Sequence, residues 1–349
     1  MTNSKEYRLE TLIAVPMPKD CIDLIEQADP RIHVIYDPEL MPEPRYTADR
    51  VGQPMEWTEA MDTKWRGHLA RAEVLLGFDR RNMKNLHEVA PNLRFIQGTS
   101  TGIGPVVKNM GYVEQGIEVA SASGIHAVPI AEFQMMAMLA FTKDIFHLFD
   151  LKGKKQFERY CTGQLMGKTL GIIGLGKNGT AAAQRARAMG LRVLGIKRVA
   201  EGANPAVYGV DAIYPKEQID DMLGQCDFVA LTLPTTPETK GLMNEERFRA
   251  MKPGSVLINN SLGSTVVEPD LIKALEDGHL RGAALDVFAT EPLPKDSPLW
   301  DMEHVLFSPH SASCAEYEDI NMTRLFIDNL RRYLDGMPLR NRIDPELGY

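Results

Sequence analysis

The stretch Thr169-Leu-Gly-Ile-Ile-Gly-Leu-Gly-Lys-Asn-Gly179 decides the fold. Its apolar run ends at Ile173 and is short enough for one buried strand. Gly174, Gly176 and Gly179 follow, and residues 180–189 have the composition of a helix that stops at Gly190. Strand, glycine turn and helix in this order suit a dinucleotide pyrophosphate. Gly174 makes the tight turn, Gly176 lets the backbone approach the phosphates, and Gly179 lets helix and strand pack closely. The anion then rests on free amides at a helix N-terminus, which adds Lys177 and Asn178 to the candidate cofactor residues. A second strand, residues 192–196, arrives on the schedule of a βαβ unit.

What ends that second strand bears on the choice of cofactor. An Asp or Glu about 20 residues beyond the glycines binds the ribose 2′-hydroxyl of NAD, whereas a basic residue there suits the 2′-phosphate of NADP. Lys197-Arg198 occupies the position, with no acidic residue between Gly195 and Val199. The expected cofactor is NADP, with NAD as the alternative.

A chain of 349 residues is more than one compact core usually takes, so two domains are expected. Hydrophobic content of 44% and charged content of 25% are those of a soluble globular protein. The net charge of -8 argues against a nucleic-acid surface. Cys21, Cys161, Cys226 and Cys314 show neither a Cys-x-x-Cys nor a Cys/His ligand spacing, so no metal is expected. The first residues lack the apolar core of a signal peptide, and the most apolar long helix candidate, residues 129–148, is interrupted by Glu132, Lys143 and Asp144. The expectation is a cytoplasmic protein without membrane contact.

Upstream of the glycine turn, residues 11–15, 32–36, 74–77, 93–97 and 117–120 are expected as strands, with helices from near Lys19 and over residues 58–71. Between them, residues 37–57 carry Pro38, Pro42, Pro44 and Pro54 and form a long surface loop. Gly98-Thr-Ser-Thr-Gly-Ile-Gly104 is either an amide nest for an anion or an ordinary strand-to-helix turn. Residues 121–125 are small enough for a hinge. In the helix that follows, Met135, Met136 and Met138 suit packing at a domain or subunit interface. Downstream, strands over residues 212–214, 227–233, 255–259, 281–286 and 305–307 complete a mostly parallel sheet, and a helix over 321–334 returns to the first domain.

Several motifs together carry a resemblance: Gly174-Leu-Gly176 with Gly179, Thr232-Leu-Pro-Thr-Thr-Pro-Glu-Thr239, Met251-Lys-Pro-Gly254, Asp286-Val-Phe-Ala-Thr-Glu-Pro292 and Ser308-Pro-His-Ser-Ala312. Over roughly residues 70–349 the chain resembles the D-isomer-specific 2-hydroxyacid dehydrogenase family. The resemblance implies an α/β protein in which a doubly wound parallel-sheet (Rossmann) cofactor domain, residues 125–311, is inserted into a flavodoxin-like α/β substrate domain, residues 1–124 and 312–349. It also implies a homodimer joined by the helix after the hinge, and a small-molecule substrate. His310 would protonate the substrate oxygen as hydride arrives from the nicotinamide, with Glu291 holding the ring. Asp286 resembles the family residue near the nicotinamide, although a turn aspartate at a strand end is the plain alternative. Leu233, Pro234, Thr239, Ser261 and Ala312 join the implied cofactor contacts, as does His310 itself.

One departure stands out. Where the family carries the arginine that grips the substrate carboxylate, this chain has Leu262, in Asn259-Asn-Ser-Leu-Gly263. Leucine donates no hydrogen bond. Three readings stay open. The substrate anion is held instead by Ser100, Thr101 and Gly102 with a cation such as Arg45 or Arg50; or the substrate is a less acidic carbonyl or alcohol facing Leu262; or the chain is an NADP(H)-responsive regulator with little turnover.

Overall fold

The computed structural model describes residues 7–234 and 236–344. Thr235, within the run from Thr232 to Thr239, and residues 345–349 of the expected irregular tail lie outside the described residues. The chain divides into two compact units, one made of residues up to Ile125 together with those from Cys314 onward, the other of residues His126–Ser313.

The first unit holds five parallel strands: β1 (Leu9–Ile13), β2 (Ile32–Ile35), β3 (Val74–Leu76), β4 (Phe95–Gln97) and β5 (Glu118–Ala120), in the order β2-β1-β3-β4-β5. That order is the flavodoxin-like one. Alternate side chains enter opposite faces, so Leu12, Leu75 and Ile96 pack on one side and Leu9, Ile13, Val74 and Leu76 on the other. Only the central β3 is wholly apolar; the others carry polar residues such as Glu10, Thr11, His33, Gln97 and Glu118. Helix Glu59–Arg71 starts at Thr58, whose hydroxyl accepts the Met61 amide. Helix Glu318–Leu334 places the buried Asn329 against β4, where its Nδ2 donates to Gln97 Oε1 at 2.7 Å. Gln97 Nε2 in turn reaches the carbonyls of Gly98, Ala120 and Ser121, which anchors the glycine turn after β4.

A second tie in this unit depends on pH. Before β2, Arg31 grips both carboxylate oxygens of Asp29, at 2.9 and 2.7 Å, and its amide adds a third bond. These bonds pull the Asp29 carboxyl down to about 2, against about 3.9 in an unfolded chain. A depressed carboxyl stabilises the fold fully above its unfolded value, and the contribution disappears as pH falls through the folded one. Asp29→Asn is therefore expected to lower Tm at pH 7 by roughly 2–4 °C, with the gap closing between about pH 4 and pH 2. Calorimetry of both proteins across that range checks it; a gap independent of pH would refute the assignment.

The second unit holds seven parallel strands: β6 (Thr169–Ile173), β7 (Arg192–Ile196), β8 (Ala212–Tyr214), β9 (Phe228–Leu231), β10 (Val256–Asn259), β11 (Gly282–Leu285) and β12 (Val305–Phe307). Their order is β12-β11-β10-β9-β6-β7-β8, which reverses direction between β6 and β9 and is the doubly wound Rossmann arrangement. Ile173, Leu194 and Leu231 face one core, and Leu170, Ile172 and Val193 the other.

Two expectations need correction. The helix after the glycines spans Lys177–Ala188 and takes in Gly179, because the chain is helical as soon as it leaves Gly176. The single helix expected over residues 129–148 is two, Ala127–Lys143 and Ile145–Lys154, broken at Asp144 with φ 56°. Met135 and Met138 are buried in the unit's own core while Met136 is exposed, so the three methionines do not share one packing role. Among the described residues no helix is long and apolar enough to cross a membrane.

Candidate active site

A parallel sheet puts the C-terminal ends of all its strands on one edge, and the loops leaving that edge in the second unit carry the candidate cofactor and catalytic residues. After β6, Gly174 has φ 108°, and a Cβ there would lie 3.0 Å from the Thr232 carbonyl oxygen and from Leu233. The Thr232 hydroxyl donates to Gly174 O at 2.5 Å, which locks the turn to the end of β9. Gly179 admits no side chain, since its Cβ would fall 2.2 Å from Gly174 O. At Gly176 a Cβ would meet nothing within 4 Å. Open space over that backbone, at the N-terminus of a twelve-residue helix beginning with Lys177 and Asn178, fits a pyrophosphate on helix amides. Beyond β9, Thr239 Oγ1 donates to Pro234 O at 2.8 Å and accepts the Thr236 amide at 2.8 Å.

The basic pair sits at the end of β7. Lys197 donates its amide to Tyr214 O at 3.3 Å, and its ammonium lies 5.2 Å from the centre of the Tyr208 ring. Arg198 is exposed. No acidic side chain adjoins the pair in sequence.

The loops after β10, β11 and β12 are bound into one framework. Asn259 Oδ1 accepts the Ser261 amide and hydroxyl, at 3.2 and 2.9 Å, while its Nδ2 donates to Leu262 O at 3.2 Å. Thr265 donates to the same carbonyl at 2.6 Å. Gly263 is pressed so closely against the next loop that a Cβ would fall 1.8 Å from Phe288 O. In that loop Glu291 Oε1 accepts the Phe288 amide at 3.0 Å, and Glu268 Oε2 accepts the Ala289 amide at 3.0 Å. Glu291 Oε2 then faces His310 Nδ1 at 2.7 Å. His310 itself has φ 54°, and its amide donates to Asp286 O at 2.8 Å. The buried Asp286 carboxylate accepts the amides of Ser311 and Ala312, at 2.8 and 2.9 Å. Asp286 thus fixes the turn that carries His310, as a turn aspartate at a strand end does.

A carboxylate on one nitrogen of a half-exposed imidazole is a pair able to hold and deliver a proton, and it lies on the same sheet edge as the glycine turn. Residues 135–312 match the D-isomer specific 2-hydroxyacid dehydrogenase, NAD binding domain. The chain belongs to this dehydrogenase family. A hydroxypyruvate reductase of Blautia hydrogenotrophica is 29% identical over 310 residues, 80% of this chain and 94% of that one. A glyoxylate reductase of Korarchaeum cryptofilum is 31% identical over 267 residues, 74% and 79% of the two chains. The crystal structure of a D-isomer specific 2-hydroxyacid dehydrogenase from Xanthobacter autotrophicus Py2, in complex with NADPH and MES, matches with TM-score 0.77 and 26% identity over 97% of this chain and 99% of the other. The protein is accordingly an NAD(P)-dependent oxidoreductase of the D-2-hydroxyacid dehydrogenase type, using a nicotinamide cofactor.

In this dehydrogenase's first unit, Ser100, Thr101 and Gly102 lie in the turn between β4 and helix Gly104–Met110. Among the described residues their amides donate to no backbone carbonyl. The two cations considered for the substrate anion are already engaged. Arg45 bonds both oxygens of the buried Asp49, at 2.6 and 3.0 Å, which holds that carboxyl far below its usual range. Arg50 lies 2.6 Å from Asp319 and donates to Pro16 O at 3.0 Å. Three contributors to the framework were not singled out from the sequence. Asn259 was readable as an Asx turn at a strand end. Glu268 and the buried pair Gln134–Asn260, in which Gln134 Nε2 donates to Asn260 Oδ1 at 2.8 Å, carry no local signal because their partners are distant in the chain.

Proposed function

We propose that the enzyme reduces the carbonyl of an organic substrate other than a simple 2-oxo acid, with NADPH preferred, and that His310 is its proton donor. The observation that carries this is the 2.7 Å contact between His310 Nδ1 and Glu291 Oε2. An ionised carboxylate only accepts, so the hydrogen of that bond sits on Nδ1 and Nε2 is the nitrogen left to give a proton to the substrate oxygen. Glu291 keeps the ring in place and Asp286 keeps the backbone beneath it in place. The reduced nicotinamide supplies the hydride when bound. Gly174, Gly176, Lys177, Asn178 and Gly179 would hold the pyrophosphate, Leu233, Pro234, Thr239, Ser261 and Ala312 the remaining length, and Lys197 with Arg198 the 2′-phosphate. Ser100, Thr101 and Gly102 would offer amides to an anion.

Leu262 limits the substrate. A carboxylate placed against it would lose water and gain no donor, which disfavours the smallest acids. A homodimer is proposed through the helix Ala127–Lys143, on which Val128 and Met136 are each 48% exposed.

Activity is tested by following NADPH oxidation with a panel of 2-oxo acids and less acidic carbonyls. No turnover on any carbonyl would refute the reading. Cofactor preference is tested by titration: NADPH is expected to bind more tightly than NADH. Lys197→Asp with Arg198→Ala should weaken NADPH by about tenfold or more and leave NADH little changed. Equal affinities in the parent protein would remove the preference.

A further inference from the structure

The first unit contains a cavity of about 200 Å³ between the proline-rich loop after β2 and the segment after β3. Ala14 and Pro16, just beyond β1, and Phe78 and Asp79, just beyond β3, form its floor. β1 and β3 are the strands between which this sheet reverses direction, the place where open α/β sheets bind ligands. Its charge runs against that of the protein as a whole. Arg50, Arg80 and Arg81 line it with Asp79 as the one acid, in a chain of net charge -8.

The three arginines are not equivalent. Arg81 is held over the Trp57 ring, 4.2 Å from its centre, and bonds Asp62. Arg50 has a side chain only 8% exposed; it is paired by distance with Asp319, yet its Nε has no hydrogen-bond partner among the described residues. Arg80 is exposed and has no ion-pair partner among the described residues. The other wall is aromatic: Trp57, Trp65 and Phe78, with Trp57 and Trp65 edge to face at 6.3 Å. A cavity of about 150 Å³ holds a benzene ring, so this one has room for a ring and a short acidic chain.

We propose that this cavity binds a carboxylate with an aromatic body, the carboxylate on Arg80 and the ring against Trp57 and Phe78. This binding site does not depend on the function proposed above. Arg80 offers the carboxylate a charge-assisted fork, and the aromatic wall favours acids that carry a ring.

The test is calorimetric titration of the full chain, saturated with NADP, using D-3-phenyllactate and glycolate as probes. Phenyllactate is expected to bind at least about tenfold more tightly than glycolate and to alter tryptophan fluorescence. Arg80→Gln, at an exposed position that folding does not need, should weaken phenyllactate by about tenfold to hundredfold, the size of one charge-assisted hydrogen bond, and leave NADPH affinity as it was. Unchanged phenyllactate affinity in that variant, no phenyllactate binding at all, or glycolate binding as well as phenyllactate would each overturn the site. Arg80-dependent binding of phenyllactate supports the site whether or not phenylpyruvate is reduced.

Discussion

His310→Asn is expected to lower kcat by about 10²- to 10⁴-fold, the range for loss of a general acid, while NADPH affinity stays close to that of the parent. Asparagine is the informative replacement because His310 has φ 54°, a left-handed conformation that Asn tolerates and Ala does not readily adopt. The turn should therefore survive, with the Asp286 carboxylate still accepting the amides of Ser311 and Ala312. Glu291→Gln should cost less, since its one amide oxygen can still accept from Nδ1, without a charge to hold the ring and at the expense of the bond to the Phe288 amide. Steady-state kinetics with a substrate the parent reduces, together with cofactor titration, checks both variants. Near-normal turnover in His310→Asn would remove histidine from the chemistry and leave Glu291 with the structural bond it makes to the Phe288 amide.

The parts legible in the sequence are those in which one residue type answers one local demand. β6 is buried along its whole length and is a short bounded run, and it occupies the residues expected of it, as do β7 and the half-exposed edge strands β8 and β12. Gly174 and Gly179 were readable because a φ of 108° hard against the Thr232 carbonyl and a 2.2 Å approach to Gly174 O each favour glycine over any side chain. What the sequence hid depends on tertiary context. The break at Asp144 lies within a run that stays apolar on both sides, and Phe141 and Phe146 pack together across it at 5.3 Å, so periodicity alone does not register it. Arg45 looked available because nothing in its neighbourhood shows that Asp49 is buried and waiting for a partner. The His310–Glu291 pair could be named only through the family motifs, since each residue taken alone has ordinary structural explanations.

Leu262→Arg is expected to raise kcat/KM towards glyoxylate or hydroxypyruvate by on the order of a hundredfold. Two charge-assisted hydrogen bonds to a carboxylate contribute about 1.5–3 kcal/mol each, and about 2.7 kcal/mol already corresponds to that factor. The backbone has no reason to resist the change. Leu262 sits at φ -146° and ψ 139°, open to any residue, and its carbonyl is held by Asn259 and Thr265 whatever the side chain. Gly263, jammed against Phe288, prevents the loop from sliding to accommodate the larger group, so the guanidinium must extend from the position the leucine now takes. Steric exclusion and lost chemistry are separable by a second variant: Leu262→Lys supplies a charge without the planar fork, and a smaller gain there than with arginine would show that bidentate geometry was the missing element. High efficiency of the unmutated enzyme on glyoxylate would overturn the premise, because it would mean that a donor elsewhere already does the work of the absent arginine.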